Sequence, residues 1–81
     1  MKIQIKLFAA AREISDRGEI ELEVADDISV GDLKKFVSRE YPKMKDLILR
    51  SAVSLNREFS TDECVVHVND EIALIPPVSG G

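Results

Sequence analysis

Ile72-Ala73-Leu74-Ile75 is apolar at every position, and Pro76-Pro77 follows it at once. A strand with apolar residues on both sides of its pleat predicts burial on both faces, as in the middle of a sheet beside a parallel neighbour. The opposite end of the chain supplies that neighbour. Residues 2 to 8 alternate, with Ile3, Ile5 and Leu7 on one side and Lys2, Gln4 and Lys6 on the other, the pattern of a half-buried strand. Setting the last strand beside the first places both at the centre of the sheet and fixes where the chain leaves the body.

Residues 19 to 25 repeat the alternation, with Ile20, Leu22 and Val24 inward and Glu19, Glu21 and Glu23 outward. Antiparallel pairing with the first strand sets lysine against glutamate on the outer face, worth about 0.2–1 kcal/mol per opposed pair. Three glutamates at a strict period of two describe a solvated strand face rather than a metal or acid-base site. Between the two strands, Ala9-Ala10-Ala11-Arg12-Glu13 favours a short helical turn, and Asp16-Arg17-Gly18 turns the chain into the next strand.

The main helix is predicted over 29–41. Ser29 suits the N-cap and Asp32 the positive end of the helix dipole. Val30, Leu33, Phe36, Val37 and Tyr41 fall on one stripe, and Pro42 ends the run. Met44 to Leu49 reads as a turn or short helix, Ala52-Val53-Ser54-Leu55 as a short strand, and Asn56-Arg57-Glu58 as a turn into Phe59. Residues 60 to 71 look irregular, with Cys64-Val65-Val66 as an apolar island. Cys64 and His67 stand three apart, but the chain has one cysteine and one histidine, so no further Cys or His completes a ligand set. The outline is α+β: a mixed sheet of about five strands with one main helix across a face.

At 81 residues, 44% hydrophobic and 32% charged, the chain is expected to form a single globular domain over 1–81. The net charge of −4 argues against nucleic acid and anionic membranes as partners and favours a basic protein surface. The first residues alternate instead of forming a signal core, and one cysteine suits a reducing compartment, so the expectation is cytoplasmic.

Residues 75–81, Ile75-Pro76-Pro77-Val78-Ser79-Gly80-Gly81, read as a protruding tail. Consecutive prolines favour an extended chain, and residues 76 to 81 reach roughly 20 Å at ~3.3–3.6 Å each. Gly80 and Gly81 have no Cβ, which suits a tip that threads a narrow channel. A terminal carboxylate is a poor electrophile, but once it is joined to AMP a sulfur or nitrogen nucleophile can attack its carbonyl carbon and displace AMP.

The chain resembles the sulfur-carrying small subunits of molybdopterin synthase over almost its whole length. The resemblance rests on Leu7-Phe8-Ala9 with Arg12-Glu13, on Asn56, on Asn69-Asp70-Glu71-Ile72, and above all on the ending from Ile75 to Gly81. Asn69 stands where the family usually has glycine; asparagine tolerates left-handed backbone, so the turn is expected to survive. The resemblance implies a ubiquitin-like β-grasp fold, and a Gly81 that an ATP-dependent enzyme adenylates and converts to a thiocarboxylate. It implies sulfur donation to cyclic pyranopterin monophosphate inside a large subunit, in a heterotetramer of two small and two large chains. Acid-base residues are then expected on the large subunit. ATP belongs to the activating enzyme, with no cofactor or metal bound by this chain.

Ordering five or six tail residues costs ~1–2 kcal/mol each, so roughly 5–12 kcal/mol must come from contacts elsewhere. Phe8, Phe59, Leu74, Ile75, Pro76, Pro77, Val78 and Ser79 are the candidate partner surface, with Gly80 and Gly81 as the reacting tip. Competing readings are a thiamine-pathway sulfur carrier, a ubiquitin-like modifier joined to lysines through Gly81, and a β-grasp binding module that never uses its terminus.

Overall fold

The two alternating segments pair with each other, their apolar residues turned to one side and their charged residues to the other. In the computed structural model, which describes residues 1–77, β1 (Lys2–Leu7) and β2 (Glu19–Glu23) run antiparallel. Lys2 lies opposite Glu23, Gln4 opposite Glu21 and Lys6 opposite Glu19. The inward residues Ile3, Ile5, Leu7 and Ile20 are buried. The order across the sheet is β2-β1-β5-β3-β4, with β3 (Ala52–Leu55), β4 (Glu58–Phe59) and β5 (Ile72–Ile75). β5 is parallel to β1 and antiparallel to β3. The all-apolar strand therefore sits in the centre beside the first strand, as its composition requires.

One side of this sheet is covered by helices. α1 (Ala9–Ser15) spans the connection from β1 to β2. α2 (Val30–Glu40) starts at Ser29, whose hydroxyl accepts the Asp32 amide at 3.1 Å, and buries Val30, Leu33 and Val37. A 3-10 turn over Pro42–Met44 leads into α3 (Lys45–Arg50), which buries Ile48. Sequence patterning found one main helix because α1 and α3 are short and each buries only one residue, Ala11 and Ile48. A single inward position leaves no periodic stripe to read.

The segment from residue 60 to 71 has little regular structure, yet it is firmly placed. The first amides of α2 lack partners within their own helix, and this segment supplies them: Val30 donates to the Cys64 carbonyl at 2.8 Å and Gly31 to the Asp62 carbonyl at 3.0 Å. A Cβ on Gly31 would stand 3.1 Å from the Asp62 Cβ, so a larger residue would crowd this segment against the helix. Val66 is fully buried and joins the core.

Candidate docking face and carboxyl-terminal exit

Residues paired across a sheet share a face. Lys6 is in register with Ala73, Ala73 with Ser54, and Ser54 with Phe59, which places these four in one row on the side away from the helices. Two residues further toward the exit, Ile75 pairs with Ala52, and Phe8 directly follows β1. Phe8 is 47% exposed and Phe59 is 75% exposed. The open face thus has small residues in its middle strands, a half-buried Ile75, and a phenylalanine toward either side of the exit. Burying one phenylalanine contributes about 1.5–3 kcal/mol.

Leu74 does not belong to this face. It is 4% exposed and pairs with Leu7 and Val53, both buried on the helical side. Apolar character alone makes it a candidate partner contact, but the two-residue period of the strand turns it into the core. The exit also differs from expectation. Pro76 is buried, so the chain is still packed at the first proline and reaches the surface only at Pro77. Val78, Ser79, Gly80 and Gly81, on which the tail chemistry was placed, lie outside the described residues.

The edge of the face is held by a polar cluster. Asn56 and Arg57, the two residues between β3 and β4, have φ of 54° and 70°, the left-handed pair that a tight hairpin demands. The Asn56 side chain donates to Asp70 Oδ1 at 2.9 Å and accepts the Glu71 amide at 2.9 Å, while its own amide donates to the Glu71 carbonyl at 2.8 Å. Glu71 in turn faces Arg57 Nε at 3.4 Å and Lys6 Nζ at 3.8 Å. The His67 amide, donating to Asp70 Oδ2 at 2.8 Å, together with the Asn56 amide group, holds the Asp70 carboxyl below its ordinary value. Asn69 is not among the left-handed residues. The left-handed backbone that asparagine tolerates is used instead at Asn56, in a segment the sequence marks only as a turn.

Cys64 lies 3.5 Å from the Thr61 hydroxyl, and His67 Nδ1 lies 3.7 Å from Asp70. They belong to separate local contacts. Among the described residues no cluster of three or more His, Cys, Asp or Glu is placed to hold a metal, and no helix is long and apolar enough to cross a membrane.

A mixed five-stranded sheet that clasps a principal helix and sets its first and last strands side by side in parallel at its centre defines a ubiquitin-like β-grasp protein. The ThiS family pattern matches residues 5–81, and the chain belongs to the ThiS family. It is 32% identical over 82 residues to the molybdopterin synthase sulfur carrier subunit of Mycobacterium tuberculosis, covering 100% of this chain and 99% of that one. Against the subunit of the same name from Arabidopsis thaliana it is 30% identical over 81 residues, covering 100% of this chain and 84% of the relative. Among solved structures, SAMP1 from Haloferax volcanii matches with a TM-score of 0.84 and 27% identity over the whole of both chains. A complex of subunits 1 and 2 of molybdopterin-converting factor from Helicobacter pylori shares the fold, with a TM-score of 0.69, 20% identity and full coverage of both chains.

Proposed function

We propose that this chain is the sulfur carrier of a molybdopterin synthase, acting through Gly81. The observation that carries the reading is the end-to-end similarity to relatives named for that activity, joined to a sheet whose central strand leads to Pro76-Pro77 and a Gly-Gly end. In this reading the Gly81 carboxylate attacks the α-phosphate of ATP on an activating enzyme, forming the acyl-adenylate and releasing pyrophosphate. A sulfide-level nucleophile then displaces AMP and leaves a thiocarboxylate. The loaded tail enters the large subunit and transfers its sulfur to cyclic pyranopterin monophosphate. Water returns Gly81 to a carboxylate, and a dithiolene needs two such deliveries.

The open face with Phe8, Phe59 and Ile75 docks the large subunit, as its exposed aromatic residues and apolar middle support. The Helicobacter pylori relative in fold is a complex of two subunits of the factor. We assign the same kind of pairing here, as two small and two large chains. In that assembly the chain is part of an enzyme, with the acid-base residues on its partner, in the cytoplasm, as one domain with a carrier tail over 75–81. Intact mass decides the chemistry. After incubation with ATP, activating enzyme and a sulfur donor, the chain gains the mass of one oxygen-to-sulfur exchange; an unchanged mass under conditions competent for a known carrier rejects the proposal.

A second reading is favoured by the full-length match to a small archaeal modifier protein. Here the same adenylate is attacked by a lysine amine instead of sulfide. A ladder of conjugates joined through Gly81 in cell extract would identify this use.

A further inference from the structure

We infer that Asn56 is a positioning residue for the docking face: its side chain clamps the β3–β4 turn to the residues before β5 and so fixes where Phe59 is presented. The inference rests on the reading of that face as the partner surface and adds the element that holds it. Phe59 lies on a two-residue strand at the edge of the sheet and is 75% exposed. Its own side chain therefore does little to anchor it. Two register pairs, Ser54 with Phe59 and Leu55 with Glu58, tie β4 to β3. Just beyond, the Ser60 amide donates to the Val53 carbonyl at 3.0 Å and the Ser60 hydroxyl to the same oxygen at 2.7 Å.

At the other end of β4 the tether is Asn56. It is the one turn residue whose side chain uses both its donor and its acceptor on another segment, Asp70 Oδ1 and the Glu71 amide, 14 and 15 residues away in sequence. The anchor is itself fixed, because Asp70 accepts the His67 amide at 2.8 Å through its second oxygen. Glu71 then reaches Arg57 on the turn and Lys6 in the Phe59 row. An edge strand this short would otherwise rotate about its turn. The clamp converts it into a fixed wall of the face, which lowers the ordering cost of docking.

Asn56→Gly tests the side chain alone, since glycine keeps φ of 54° without strain while alanine does not. In the free chain, amide exchange at Ser60 should accelerate while the central β1–β5 amides keep their protection. Affinity for the large subunit, measured by calorimetry, should fall about tenfold, and the loss should vanish in a Phe59→Ala background. Asn56→Asp should be worse than glycine, because it sets two carboxylates against each other. The exchanged pair Asn56→Asp with Asp70→Asn should recover most of the affinity, because the donor and acceptor have only changed sides.

Equal acceleration of exchange throughout the sheet, an Asn56→Gly loss that persists without Phe59, or no recovery in the exchanged pair would each overturn the inference. A Phe59→Ala variant that binds as tightly as the parent instead removes the docking face itself, a different failure that the single substitution reveals directly.

Discussion

Ala9 opens α1 with φ of 50° immediately after the exposed Phe8. A left-handed L-residue costs roughly 1–2 kcal/mol, whereas glycine in a helix costs about 0.5–1 kcal/mol relative to alanine. Ala9→Gly is therefore expected to leave stability unchanged or raise it by up to about 1 kcal/mol, read from the denaturant midpoint. A clear loss would contradict the left-handed entry. Asp70 makes a prediction in pH. Its folded carboxyl titrates below the ordinary 3.8 because the His67 and Asn56 groups favour the charged form. The stabilisation is present above that ordinary value and is lost as pH falls below it toward the folded value. Asp70→Asn should thus lower stability at neutral pH and make the acid limb of the stability profile less steep.

At the scale of elements, α2 and β4 are held in opposite ways. α2 buries a stripe and is capped at its start, and Ser29→Ala should cost about 1 kcal/mol by removing the acceptor for the Asp32 amide, measured by urea unfolding. β4 buries neither of its residues, so its side chains add little to the core. Phe59→Ala is expected to change folding stability by no more than about 0.5 kcal/mol, as a surface substitution does, while weakening the large-subunit complex at least tenfold, as loss of an aromatic anchor does. Equal affinity with and without the ring would remove Phe59 from the interface. The segment from residue 60 to 71 shows how an element can be missed. Its backbone completes the start of α2 through carbonyls, and carbonyls leave no mark on residue type.

Across the whole molecule, the net charge of −4 conceals a division. Lys34, Lys35, Arg39, Lys43, Lys45 and Arg50 lie on the α2–α3 layer against Asp32, Glu40 and Asp46 in the same stretch. None of the six makes an ion pair with a described residue, whereas Lys2, Lys6 and Arg57 on the sheet side are paired. An expectation of a basic partner drawn from the total applies to the sheet side and not to the helical layer. The proposed division of labour between body and tail also has a whole-molecule consequence. One residue added after Gly81 should abolish thiocarboxylate formation, seen by intact mass, and leave the melting temperature unchanged because the described core ends before that point.

The strand period of two, the helical stripe from Val30 to Val37, the Ser29 cap and the parallel partnership of the first and last strands were all legible in residue order. Each depends on near neighbours in sequence or on one continuous apolar run. Phe8, Phe59 and Leu74 are alike in apolar character, and only the register separates the two exposed rings from the buried leucine. Hydrophobicity alone does not say which side of a sheet a residue faces until register is set. The clamp from Asn56 to Asp70 and Glu71, the burial of Pro76 and the tether of residues 62 to 66 to α2 were decided by tertiary structure. They arise from groups far apart in the chain, and a hydrogen bond or a packed ring exists only once folding has brought its two halves to within a few ångströms.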